Sequence, residues 1–275
     1  MKIAFNEAVT LNNSTLENDL LLCEKHGFDY IEIRLDKLKE YLLTNTIEDL
    51  KRFFSSSFLK PLSLNALEEF TFRNETDFRL MKNDLSLMVE VAAAVGCNTI
   101  VAVPAFGIEK DWNVIKQETI LRLNDFLSVI EGTDLRIALE FVGYPHGSIN
   151  TLDKAKEVIE EIGHPQLGLV LDCFHFYGMN SSYESLKTLS VNDLFLFHID
   201  DCEGKLPGVL RDHHRVWPGD GVIPLERIIS ALQEKGYDGP ASVELFRPEY
   251  WELDAEECIR TAKEKTKNVI QRMKQ

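Results

Sequence analysis

Short, almost wholly apolar runs alternate along the chain with longer segments in which apolar residues recur every three or four positions. The runs at residues 2–6, 30–34, 61–65, 99–103, 136–141, 167–172, 194–200 and 241–245 predict strands. The amphipathic segments at 15–26, 47–54, 77–95, 115–130, 152–162, 183–189, 225–235 and 255–273 predict helices. Gly27, Gly96, Gly163 and Gly236 each follow a helical segment, as C-terminal glycines do. Strands apolar on both faces belong to a parallel sheet covered by helices. Strand–helix alternation repeated through the whole chain predicts an α/β fold, a (β/α)8 TIM barrel. A doubly wound open sheet would bring a Gly-rich phosphate loop after an early strand, and neither G-x-G-x-x-G nor G-x-x-x-x-G-K-[ST] occurs. No linker or low-complexity tract divides residues 1–275, so one domain is expected.

Four runs in the second half end on a polar residue: Ile137-Ala138-Leu139-Glu140, Leu169-Val170-Leu171-Asp172, Phe195-Leu196-Phe197-His198 and Ala241-Ser242-Val243-Glu244. One charged strand end is ordinary, because the chain leaves the core there. Four in successive strands, all carboxylate or imidazole, would converge at the C-terminal mouth of a barrel, where active sites of that fold lie. Alternation tests this internally, since residues two apart share a face. If the four point inward, so do Ala138, Val170, Leu196 and Ser242. Leu139, Leu171, Phe197 and Val243 then face outward under the helices, and all are apolar.

Composition narrows the partners. Hydrophobic residues make up 44% of the chain, enough for a large core. The net charge of -15 opposes a nucleic-acid partner, which needs a basic surface. The sequence offers no apolar run of about 18 residues for a membrane span, and its first residues enter a strand with no secretory signal. The 5 cysteines are scattered, without C-x-x-C spacing, which predicts reduced thiols in a cytoplasmic protein. The sequence leaves the oligomeric state between monomer and homodimer.

Three carboxylates and one imidazole (Glu140, Asp172, His198, Glu244) are mostly hard ligands. They suit one divalent ion, Mn, Zn, Co or Mg, with positions open to substrate oxygens. His175 lies just beyond the sixth strand, and Asp200 and Asp201 follow the seventh as outer partners. The turn-rich loop from Arg215 through Trp217 to Gly221 offers a cation and an aromatic to clamp a hydroxylated substrate, or in Trp217 an anchor for the loop on the barrel top. Glu32 and Arg34 end strand two, Asn65 ends strand three and Arg247 follows Glu244 by three; each is a candidate for substrate contact or for salt bridging.

The segments Phe5-Asn6-Glu7-Ala8, Ala138-Leu139-Glu140-Phe141-Val142-Gly143, Gly168-Leu169-Val170-Leu171-Asp172, His198-Ile199-Asp200-Asp201, Arg215-Val216-Trp217-Pro218-Gly219 and Ser242-Val243-Glu244-Leu245-Phe246-Arg247 carry a resemblance. The chain resembles the sugar isomerase/epimerase superfamily of xylose isomerase-like barrels, most nearly members that isomerise keto-inositols. That resemblance implies a divalent ion held by Glu140, Asp172, His198 and Glu244, proton transfer by Glu140 and Glu244, and substrate contact by His175. The implied activity moves a carbonyl between adjacent carbons of a keto-cyclitol or keto-sugar through an enediolate, here 2-keto-myo-inositol to 1-keto-D-chiro-inositol in inositol catabolism. The implied partner is therefore a small polyhydroxylated ketone. A ketose 3-epimerase or hydroxypyruvate-type isomerase would use the same ligands. Further alternatives are a dehydratase of the keto-inositol and an apurinic-site endonuclease; the latter needs a histidine-rich three-metal cluster, of which Asp212-His213-His214 is only a partial echo.

Overall fold

Eight parallel strands close on themselves. They are β1 (Ile3–Asn6), β2 (Tyr30–Arg34), β3 (Lys60–Glu68), β4 (Thr99–Val103), β5 (Arg136–Glu140), β6 (Leu167–Asp172), β7 (Leu194–Ile199) and β8 (Ala241–Val243). Each pairs with its sequence neighbours, and β1 pairs with β8 through Ile3↔Ala241, Ala4↔Ser242 and Phe5↔Val243 to complete the barrel. The computed structural model of the protein describes residues 1–272.

Helices fill the crossovers: α1 (Leu16–Lys25), α2 (Leu35–Tyr41), α3 (Ile47–Ser56), α4 (Glu75–Val95), α5 (Trp112–Val129), α6 (Leu152–Ile162), α7 (Cys173–Gly178), α8 (Tyr183–Thr188), α9 (Leu225–Glu234), α10 (Pro248–Trp251) and α11 (Ala255–Arg272). Met273, the expected end of the last helix, lies outside the described residues. Thr15, Asn74 and Thr151 cap α1, α4 and α6 with side-chain oxygens, and Thr46 and Asp49 form a reciprocal capping box on α3. Among the described residues no helix is long and apolar enough to cross a membrane.

Three helices were not expected from the pattern. Of these, α7 is short and largely apolar, so it shows no helical period; it forms because Asp172 accepts from the His175 backbone N–H and starts the turn. Strand β3 runs past its expected end at Asn65 to Glu68, while β8 stops at Val243, leaving Glu244 just beyond the ladder.

The core has two compartments. Ala66, Val101, Ala138, Val170, Phe195 and Leu196 fill the barrel interior as one small cluster. Leu139, Leu171, Phe197 and Val243 belong to the larger cluster that joins the barrel's outer wall to the helices. The inward and outward alternation expected of the ligand-bearing strands is therefore the one adopted. Ser242 departs from apolar filling: its hydroxyl donates to Glu32 inside the barrel.

Candidate metal centre

Ligand atoms of Glu140, Asp172, His198 and Glu244 all lie within 4.8 Å of one another, and all four residues are buried. His198 organises them. Its Nδ1 is 3.0 Å from Glu140 Oε1, 3.1 Å from Glu244 Oε2 and 3.9 Å from Asp172 Oδ2. Its Nε2 points the opposite way, lying 3.1 Å from Glu32 Oε1 and 3.3 Å from Oε2. Glu32 is fixed in turn by the hydroxyls of Ser63 and Ser242. An imidazole with one nitrogen toward three carboxylates and the other on a hydrogen-bonded carboxylate has the geometry of a metal-binding histidine with its outer partner.

Asp172 divides its oxygens between two tasks. Oδ1 accepts the His175 N–H at 2.6 Å and caps α7, while Oδ2 accepts from Arg215 Nη1 at 2.7 Å beside the quartet. The loop after β5 packs directly on α7: a Cβ at Gly143 would sit 2.1 Å from the His175 carbonyl oxygen. Glycine there lets the Glu140 strand exit and the His175 turn share one wall.

Before any ion binds, these neighbours push the titrating groups apart. Burial and the charge of Glu244 raise Glu140 to about 8. Burial works against His198, but Glu244, Glu32 and Glu140 overcome it and raise the imidazole well above its ordinary value. Against the same burial, Arg215, His175 and His198 hold Asp172 at about 2. Glu32 also falls to about 2, burial being outweighed by His198 and the two serine hydroxyls. Strong divergence within one cluster marks functional sites. Three carboxylates crowded on a single imidazole nitrogen match a hard divalent cation, which would offset their mutual repulsion. Among the described residues, this quartet is the one group of His, Cys, Asp and Glu side chains close enough to hold an ion, so the endonuclease's larger cluster is missing.

A cavity of about 190 Å³ opens beside the quartet. His175, Arg215 and Asn65 line it with Glu140 and Glu244. His175 Nε2 meets Arg215 Nη2 at 3.1 Å, while its Nδ1 is buried without a partner. Arg215 is fully buried and also donates to Asp200 and, through Nε, to Asp212 at 3.0 Å.

Three other candidates stand elsewhere. Glu32 does not line the cavity but backs His198 from beneath. Trp217 is buried against Tyr250, rings stacked at 4.3 Å and 8°, and anchors its loop. Arg247 is held by Glu203 at 2.9 Å and by the Arg215 carbonyl at 3.1 Å. Asn6 was not singled out in the sequence, although it too ends a strand: its Nδ2 donates to Glu244 Oε1 at 2.9 Å. Asp212, Glu68 and Phe246 also reach the cavity, from loops or from the unexpected extension of β3. Asp201 shapes the overlying loop by accepting backbone N–H groups of Gly219, Gly221 and Ile223.

Glu32→Gln tests the outer partner. The amide keeps its shape but cannot hold a histidine proton with a full charge, so metal affinity is expected to fall about 10- to 100-fold. Competition with a chelator of known affinity measures it; unchanged affinity would leave Glu32 a packing residue.

A profile of the xylose isomerase-like TIM barrel family matches residues 20–272. The inosose isomerase of Halalkalibacterium halodurans is 44% identical over 98% of this chain and 96% of its own length. The inosose isomerase of Bacillus velezensis is 46% identical over 98% of this chain and 97% of its own. The crystal structure of the IolI protein with a bound zinc atom superimposes with a TM-score of 0.95 at 45% identity, covering 99% of both chains.

Proposed function

Because this chain belongs to the xylose isomerase-like TIM barrel family, matched over residues 20–272, we propose that it is an inosose isomerase. It converts 2-keto-myo-inositol to 1-keto-D-chiro-inositol in inositol catabolism with the help of a divalent ion. The observation that carries this reading is full-length identity of 44–46% to inosose isomerases, in a chain whose four strand-end ligands converge on one point.

Glu140, Asp172, His198 and Glu244 hold the ion, Mn, Zn, Co or Mg. When bound, it polarises the substrate carbonyl as a Lewis acid and acidifies the adjacent C–H. The remaining chemistry belongs to side chains of the protein. Moving a carbonyl to the next carbon requires one proton to leave the carbon beside it and one to arrive where the carbonyl was, while the hydroxyl proton passes from the oxygen that becomes the carbonyl to the oxygen that was one. Glu140 from β5 and Glu244 after β8 stand three strands apart in the ring and reach the substrate from two sides, one taking a proton and the other giving it. Arg215 and His175 bind substrate oxygens from the β6–β7 side. Val103, Phe106, Val142 and Phe246 supply the apolar walls that exclude water. A cavity of about 190 Å³ suits one small ring, well below the size of drug-binding pockets.

The net charge of -15 supports a small-molecule substrate over nucleic acid. The 5 cysteines are all free and buried, which supports a cytoplasmic setting. We take residues 1–275 as one catalytic domain.

Incubation of the metal-loaded protein with 2-keto-myo-inositol in D2O, followed by NMR, tests the assignment. The expected result is 1-keto-D-chiro-inositol carrying deuterium at the carbon that received the proton. Conversion of ketohexoses with no action on the keto-inositol would replace this reading with a ketose 3-epimerase.

A further inference from the structure

Two charged side chains near the end of β2 share its inward face, and only one is fully committed. Glu32 reaches His198 inside the barrel. Arg34, two residues on, lies on the same face one layer nearer the mouth. It is in register with Asn65 of β3, which lines the catalytic cavity. Arg34 is only 7% exposed. Most of its donors are taken: Nε and Nη2 bind Asp36 at 3.1 and 2.9 Å, and Nη2 reaches Glu68 at 3.2 Å. Its backbone N–H donates to Glu7 Oε2 at 2.8 Å. Nη1 is buried and has no partner. A buried charged donor left without a protein partner is costly, so its retention calls for an acceptor that arrives later.

The surroundings say what that acceptor is. The Arg34 guanidinium lies 5.5 Å from the centre of the Phe246 ring, a wall of the catalytic cavity that also has Arg215 at 5.6 Å. A second cavity, of about 250 Å³, is lined by Arg34 and shares Asn65 and Glu68 with the first. Its other cations are engaged: Lys39 pairs with Asp84 at 2.6 Å, and Arg73 donates to the carbonyls of Glu68 and Glu69. With Asp36, Glu68 and Asp84 present as well, the wall carries no excess positive charge for an anion. It fits a neutral hydroxyl, which accepts from a guanidinium and donates to a carboxylate.

We propose that Arg34 is a specificity-determining residue that contacts the substrate, donating from Nη1 to one ring hydroxyl on the side opposite His175 and Arg215. Strand β2 stands across the barrel from β6, where His175 follows, so Arg34 and His175 approach the ring from opposite edges. This deepens the keto-inositol reading above and rests on it.

The test compares wild type, Arg34→Gln and Arg34→Lys on 2-keto-myo-inositol and on a panel of its monodeoxy analogues. Asp36 and Glu68 are half exposed, so losing Arg34 strands no buried carboxylate. For Arg34→Gln, kcat/KM on the parent compound should fall about 10- to 100-fold with bound metal unchanged. One analogue, lacking the hydroxyl that Arg34 reads, should be turned over equally by wild type and variant. Arg34→Lys should restore part of the loss through its charge, without the fork geometry. An equal drop on the parent and every analogue, or no drop at all, would overturn the proposal. Failure of the underlying function looks different: wild type itself would not convert the keto-inositol, and the Arg34 assignment would fall with it.

Discussion

Replacing Glu140 by Gln should lower the rate of carbonyl migration by about 10²- to 10⁴-fold, the usual contribution of a positioned acid or base. An amide keeps one oxygen available to an ion, so metal content should change far less than turnover. Glu140 suits the task because burial and the Glu244 charge bring it to about 8 before the ion binds, while the ion pulls it back down. A carboxyl balanced between these influences can both accept and return a proton near neutral pH. Glu244→Gln should be comparably damaging, but the two variants need not fail alike in D2O. If one glutamate opens the reaction and the other closes it, the variant lacking the closing acid should still exchange the first proton with solvent while making no product. The variant lacking the opening base should do neither. Exchange and turnover within tenfold of wild type would remove that glutamate from proton transfer.

The barrel and the quartet were legible because both follow from one rule, the period of two along a buried strand. Glu140, Asp172 and His198 occupy the last inward positions of runs whose other residues are apolar, and Glu244 follows a shorter run in which Ser242 is the one polar residue. A charge can sit there only if something at the mouth meets it. The same rule located Glu32 but not its depth: it sits one layer below the mouth, where it meets a histidine and not a substrate. The rule would have found Asn6 had a neutral strand end been given the same weight.

Loop residues were harder for a physical reason. Trp217 and Arg247 find their partners, Tyr250 and Glu203, through long-range packing that no local pattern encodes. The helix α7 was invisible because its start is set by Asp172, a residue whose second oxygen belongs to the site. Here local capping and site chemistry use one side chain, and the sequence pattern showed only the second.

Removing the ion by exhaustive chelation should abolish activity, and adding back Zn, Mn, Co or Mg should restore it to different extents. The effect on stability depends on pH, with a defined sign. Glu140 and His198 are both raised in the folded protein without its ion. Such groups help the folded state while both states are protonated, and that help is lost as pH climbs through the folded values. For Glu140 the loss runs from about 4.5, its unfolded value, up to about 8. Asp172 and Glu32, held at about 2, reach their full contribution just above their unfolded values of 3.8 and 4.5, so they change little above pH 5. The chelated protein should therefore lose stability as pH rises from about 5 to 8. The loaded protein should resist that loss, because an ion at a thousand times its dissociation constant adds about 4 kcal/mol. Uptake of the ion at pH 7 should release protons from Glu140 and His198, so apparent affinity should climb as pH rises through about 8, where Glu140 titrates. Thermal melts of loaded and chelated protein across this range, with calorimetry in buffers of different ionisation enthalpy, measure both effects. Binding that releases no protons would count against the four side chains sharing one ion, and a chelated protein that melts no lower at pH 8 than at pH 5 would mean that Glu140 and His198 are not raised in the fold.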